Sequence, residues 1–356
     1  MNEVSERLIA GGISSAYFLP STTFFERKKK LKRTNAIFGT KTTSLNSKTN
    51  KILLDIVEED WPTYRTSYSR SLTGVRLVAG RFTGGDGNDL IKVTSKPRTN
   101  PSPSEFPHAA GVCIENWGEN QNEQTLDTEL DLGTGNDKII ITDKFGSLDT
   151  GLYCDGLVDM GDGKNLIKAK NSDIIIGGKI NFGSDRDILT TKAIKGSTKD
   201  NLSVHGVLSM GGGDDLVEAT KISVANGGMI SMGEGDDVIK IHRKSRFKDY
   251  AIYSNGTIDM GDGDDRIEGL LFVHGTGRGD IYPGYGAKVE TNFGPGEDTL
   301  VVTPGTYVIE EKSVEGIFRI STPREGEIVD ISGLEYLESS KSGARFQFTT
   351  GTLEIL

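Results

Sequence analysis

The chain has 356 residues, 35% hydrophobic and 7% aromatic, with 46 glycines, 10 prolines and a net charge of −10. So little apolar material argues against a thick conventional core, and the glycine excess points to many bends that need a positive φ. The acidic balance argues against nucleic acid as the main partner and suits cations.

Taken from the start, residues 1–52 hold ten lysines and arginines against three acids, a surplus of seven positive charges that leaves −17 for the remainder. They show no sustained period and are rich in Ser, Thr, Asn and Lys, which predicts a basic flexible or attachment segment. The short apolar pieces "LIAGGI" and "AYFLP" precede the basic cluster "RKKKLKR" (27–33), the reverse of a secretory leader. No run reaches the ~18 apolar residues of a membrane span. The two cysteines, Cys113 and Cys154, are too few for a disulfide scaffold and fit no zinc spacing.

A repeat then runs along the chain. It reads "GDGNDLI" at 85, "GTGNDKI" at 133, "GDGKNLI" at 161, "GSDRDIL" at 183, "GGGDDLV" at 211, "GEGDDVI" at 233, "GDGDDRI" at 261 and "GPGEDTL" at 294. The rule is Gly-x-Gly-x-Asp-x-aliphatic; Asp185 replaces a glycine and Asn165 the aspartate. The first glycines are 48, 28, 22, 28, 22, 28 and 33 residues apart, and the initial gap of 48 suggests a coil within 100–125 that lost its turn. Before each turn an alternating pair points one way: Leu130/Leu132, Val158/Met160, Ile180/Phe182, Leu208/Met210, Ile230/Met232, Ile258/Met260. Asp131, Asp159, Asn181, Ser209, Ser231 and Asp259 lie between them and point outward. After each turn an aliphatic points inward again (Ile91, Ile139, Ile167, Leu189, Val217, Ile239, Ile267, Leu300).

A unit of 22–28 residues cannot bury its own apolar stripe but can when stacked on its like. The expected fold is an all-β, right-handed parallel β-solenoid with one Gly-Asp turn per coil and coils about 4.8 Å apart. It would occupy residues 53–303. Residues 304–356, with β-like runs and no such turn, would form a β-rich C-terminal cap against edge pairing.

Stacking puts the turn aspartates in a column, with Asp214, Asp236, Asp264 and Glu297 beside it. Like charges about 5 Å apart repel by roughly 1–4 kcal/mol per pair, so something must compensate. Ca²⁺, which takes six to eight oxygens from carboxylates and carbonyls, is one answer; Asx hydrogen bonds and water in plain β-turns are another. "GGDGNDLIK" (84–92) resembles the glycine-rich nonapeptide of RTX, or hemolysin-type, calcium-binding proteins. The resemblance covers roughly 79–302 and departs in the wide spacing of the repeats, which favours a single calcium corner.

It implies Ca²⁺ ligands at Asp89, Asp137, Asp215, Asp237, Asp265, Asp298 and Asp187. Backbone carbonyls would come from Gly85, Gly87, Gly133, Gly135, Gly211, Gly213, Gly233, Gly235, Gly261 and Gly263. Lys164 beside Asn165, and Arg186 beside Asp187, suggest an internal salt-bridge substitute for calcium at 161–187. The family's export by type I secretion implies an extracellular or cell-surface location.

The longer coils carry insertions at 143–155, 193–205 and 243–255, which could meet a surface glycan or another protein. The four histidines have no metal-ligand spacing and no nucleophile elbow appears, so no catalytic residue is assigned. The function expected is structural or adhesive, a calcium-binding surface solenoid. A phage or virion fibre component and a carbohydrate-active β-helix enzyme are the alternatives.

Overall fold

A computed structural model describes residues 38–39, 43–44, 51–56, 73–78, 80–95, 110–116, 128–143, 150–192, 201–225, 227–242, 252–254, 256–269, 290–323 and 326–356. These residues contain strands and no helix. The chain divides into two compact units, one of residues 1–183 and 190–197, the other of 184–189 and 198–356.

In the first unit the chain lays down strands on three faces in turn. The first face holds Phe38–Gly39, Thr73–Val78, Ala110–Glu115, Thr150–Cys154 and Ile174–Ile176, each parallel to the next. The second holds Thr43–Ser44, Gly80–Thr83, Thr128–Asp131, Leu157–Asp159 and Lys179–Asn181. The third holds Lys51–Ile56, Leu90–Ser95, Lys138–Thr142 and Leu166–Lys170. The Gly-x-Gly-x-Asp stretch always joins the second face to the third.

The second unit repeats the scheme. Its first face is Leu202–Val204, Ile222–Val224 and Ile252–Ser254. Its second is Val207–Gly212, Met229–Glu234, Thr257–Asp262, Glu290–Asn292 and Gly326–Ser332. Its third is Leu216–Ala219, Val238–Ile241, Arg266–Glu268, Thr299–Val302 and Tyr336–Ser339. The stacked parallel strands are those of the expected β-solenoid architecture.

Strands must run parallel here because each coil returns to its starting face before climbing one layer. Such strands need long crossovers, and the other two faces supply them. The inward rows on the second and third faces are those expected from alternation. Val158, Met160, Ile180, Leu208, Met210, Ile230, Met232, Ile258 and Met260 are fully buried, as are Ile139, Ile167, Leu189, Val217, Ile239 and Ile267. A third inward row lies on the first face: Val112/Ile114, Leu152/Cys154, Ile174/Ile176, Leu202/Val204 and Ile222/Val224. Each such side chain contributes roughly 1.5–3 kcal/mol by leaving water, so as many as five named per coil sustain a thin core. Cys113 and Cys154 are buried in this layer, and burial pushes the Cys154 thiol up to about 12.

Several expectations shift. The turn at 85 stacks directly on that at 133, so no turnless coil lies between them. Residues 110–115 are simply the first-face strand of one long coil. Phe38–Gly39, Thr43–Ser44 and part of Lys51–Ile56 fall within the predicted tail yet pair with the coil above. The stack also continues past 303, since Gly326–Ser332 and Tyr336–Ser339 form another parallel layer. Antiparallel strands complete that end. Gly305–Glu311 lies between Phe318–Thr322 and Gly351–Ile355, and Arg345–Gln347 pairs with Tyr336–Ser339. Of the insertions at 143–155, 193–205 and 243–255, residues 144–149, 193–200, 243–251 and 255 lie outside the described residues. Their last parts are first-face strands, with Leu152, Cys154, Leu202 and Val204 fully buried.

Layer contact leaves no room for a side chain at the first glycine of the turns at 133, 161, 183, 233, 261 and 294. A methyl added at Gly233 would lie 1.7 Å from the carbonyl oxygen of Gly211, and φ there is +116°. Gly227, at φ +82°, has nothing within 4 Å. Gly233→Ala should therefore lower the melting temperature severely. Gly227→Ala should cost only the left-handed backbone strain of about 1–2 kcal/mol. Equal losses in thermal melts would contradict this stacking.

Candidate metal centre: a buried carboxylate ladder

The turn aspartates form a ladder of side chain to backbone bonds. In the first unit Asp137 Oδ1 accepts the amide N–H of Asp89 at 2.6 Å, and Asn165 Oδ1 accepts that of Asp137 at 2.8 Å. In the second unit Asp215 accepts from Asp187 (2.7 Å), Asp237 from Asp215 (2.8 Å), Asp265 from Asp237 (2.9 Å) and Asp298 from Asp265 (2.8 Å). The topmost rung is Glu335, whose Oε2 accepts from Asp298 at 2.9 Å. Every ladder aspartate is at most 3% exposed. The column expected from sequence is thus present in each unit, and Asp89, Asp137, Asp187, Asp215, Asp237, Asp265 and Asp298 all stand in it.

One oxygen of each carboxylate is thereby used. The other is buried and has no hydrogen-bond partner in Asp137, Asp215, Asp237, Asp265 and Asp298. What belongs there is shown by the one rung that differs. Asn165 places its Nδ2 in the corresponding position and donates to the carbonyl oxygens of Gly161 and Gly163, both at 2.8 Å. These are the two glycines of its own turn. The interior of the turn is therefore built from acceptors and calls for a donor or a positive charge. At Asn165 the amide supplies it. At the aspartates the side chain brings a third acceptor instead.

Electrostatics agree. Burial pushes the carboxyls of Asp137, Asp237 and Asp298 up to about 7 and those of Asp215 and Asp265 up to about 8. The backbone amide that each accepts pulls the other way, and neighbouring acids add to the rise. An isolated buried carboxylate costs several kcal/mol unless it is compensated, so the ladder takes up either protons or a metal.

A second, exposed ladder flanks the first and runs in the opposite sense. Asn88 Oδ1 accepts the N–H of Asn136 (2.6 Å) and Asn136 that of Lys164 (2.8 Å). Asp214 accepts from Asp236 (3.1 Å), Asp236 from Asp264 (2.9 Å) and Asp264 from Glu297 (2.9 Å). The acids beside the column are thus structural acceptors.

The salt-bridge reading of 161–187 does not hold. Neither Lys164 nor Arg186 enters an ion pair among the described residues. The amide of Asn165 is what meets the two glycine carbonyls there. The outward acids Asp131, Asp159 and Asp259 are engaged by Arg81, the Gly161 amide and Asn292 respectively.

Among the described residues no three His, Cys, Asp or Glu side chains converge on one point that could hold a metal. Each aspartate turn carries one ladder carboxylate among glycine carbonyls, oxygen donors of the kind a hard cation takes. The chain matches no family model, no curated protein and no solved structure.

Proposed function

We propose that this chain is a calcium-stabilised, right-handed β-solenoid with a structural or adhesive role outside the cell. One observation carries the reading: the buried Oδ2 atoms of Asp137, Asp215, Asp237, Asp265 and Asp298 have no partner, while Asn165 fills the same position with an amide that donates to two glycine carbonyls. A proton on Oδ2 supplies one O–H and satisfies one carbonyl. A cation would be met by the carboxylate and by both carbonyls together. Ca²⁺ suits a donor set made only of oxygen.

Within each turn the holders are the ladder aspartate and the carbonyls of its two glycines: Gly133 and Gly135 for Asp137, Gly211 and Gly213 for Asp215, Gly233 and Gly235 for Asp237, Gly261 and Gly263 for Asp265. When bound, the ion neutralises carboxylates that the fold has already removed from water. The rung at Asn165 needs none. Type I secretion fits the reading, because a low-calcium cytosol would keep the acidic body loose and external calcium would close it.

A structural role is favoured over catalysis by how the carboxylates are used. The same acid recurs rung after rung as a backbone acceptor, and a repeated row lacks the single constellation that chemistry needs. A fibre component shares this architecture and would differ in being particle-bound and oligomeric.

The test is calcium titration of metal-free protein by calorimetry, with circular dichroism and melting in calcium and in chelator. The expected result is saturable binding of several ions and a higher melting temperature in calcium. Identical melts with no heat of binding would leave the stack standing and remove calcium from it.

A further inference from the structure

The outer surface of the third face differs sharply between the two units. In the second unit its cations meet acids on their own strand, on the next or on the next but one. Arg266 binds Glu338 through two nitrogens at 2.7 and 2.9 Å and reaches Glu268 at 3.0 Å, Lys240 pairs with Glu268, and His242 contacts Glu218. Such cross-strand pairs are the usual way a sheet face settles its charge.

In the first unit the same face carries Lys92, Lys138, Lys168, Lys170 and Lys192, all exposed, and no acid among the described side chains. None of the five enters an ion pair among the described residues. Asp143, next in sequence to that surface, is fully buried. The register keeps the lysines from standing directly opposite one another. Lys138 lies between Leu90 and Leu166, while Lys92 and Lys168 flank Ile140, and Lys170 faces Thr142. Like charges directly opposite would destabilise the sheet, and the zigzag avoids that while keeping the surface cationic. Strands about 4.8 Å apart, with outward residues every ~6.7 Å along each, make a narrow strip with charge repeated along the stack.

We propose that this lysine strip binds a linear anionic polysaccharide. The choice of a glycan rests on the adhesive reading above; the strip itself does not depend on calcium. A single extended polymer with a regular charge repeat matches a flat surface with one or two lysines per layer. Lysine is a compact point charge suited to diffuse sulfate or carboxylate contact, whereas bidentate phosphate and base recognition uses arginine. Single-stranded nucleic acid further calls for stacking aromatics, and the outward residues with described side chains here are Lys, Leu, Ile and Thr; the register puts Asp55 beside Thr94 at one end of the strip.

Binding of the full chain to heparin, to hyaluronan and to an oligothymidylate of similar length should be measured by calorimetry over a series of salt concentrations. It should be run in calcium and in chelator, with the β spectrum checked in each. Heparin and hyaluronan separate sulfated from carboxylated sources. The expected result is saturable glycan binding that weakens with salt. The triple variant Lys92→Gln, Lys138→Gln, Lys168→Gln should lose about tenfold, and Lys179→Gln, on the second face, should lose none. Binding that survives in chelator would separate the strip from the metal. No glycan binding by folded protein, tighter binding of the oligonucleotide, or equal losses in the two variants would overturn the proposal.

Discussion

Asp237→Asn should leave the protein as stable in chelator as the parent is in calcium at that rung, whereas Asp237→Ala should cost about 1–3 kcal/mol in calcium together with the ion bound there. Both follow from what the two atoms of the side chain do. Oδ1 accepts the N–H of Asp215, and an asparagine keeps that bond while its amide reaches for the glycine carbonyls as Asn165 does. Alanine removes the acceptor and leaves the N–H of Asp215 buried and unmet, at ~1–3 kcal/mol, and takes away the carboxylate that a cation would meet. The reverse change, Asn165→Asp, should create a rung that needs a cation. Its melting temperature should fall in chelator and recover in calcium, with one more ion bound. Thermal melts with ion counting by calorimetry decide the matter. If asparagine and alanine at 237 behave alike, the two glycine carbonyls are not what the second atom serves.

The second large effect is on pH. In metal-free protein the ladder carboxyls sit at about 7 to 8, against about 4 in an unfolded chain. Between those values the folded state holds more protons than the unfolded one. Stability from these groups is complete below about pH 4 and is lost as pH rises through 7 and 8. Glu268, Glu338 and Asp330 work in the other direction. Arg266, Lys240, Arg319 and Lys312 hold them below the usual carboxylate range, so they weaken the fold as it is acidified. The chelated protein should therefore be most stable in mild acid and melt earlier at each step from pH 5 to pH 9. Calcium should flatten that decline and release protons on binding near pH 6, measurable in buffers of different ionisation heat. A chelated melting temperature that climbs over this range would contradict the buried-acid ladder.

The second and third faces were legible in the sequence because each flanks the Gly-x-Gly-x-Asp signature, which fixes the phase of a two-residue alternation. The first face has no such marker. Its pairs, Ile174/Ile176 or Leu202/Val204, are two residues long and follow returns of unequal length, so they blended into supposed loops. Unequal returns also hid the nature of the 48-residue gap, which is one coil with long crossings.

The buried aspartates could be placed in a column from spacing alone. Their partners could not, because nothing in spacing says that a side chain serves the backbone of the layer below. Asn165 looked like a break in the motif and is the rung that explains the others. The flanking ladder left a faint trace: the residue before each aspartate is Asn, Asn, Asp, Asp or Asp at five turns. Glu335 left less, since its turn, "SGLEYL", is short of one glycine and a longer side chain spans the difference.

The two ladders point in opposite senses, and this has a bearing on how such a chain grows. A segment cut from one first glycine to the next in the second unit can carry an upward and a downward half-joint, as residues 211–232 do against the segment that follows. Duplicating that segment in frame would add one storey of about 4.8 Å whose floor and ceiling already match. Length can therefore change by whole modules without inventing a new seam.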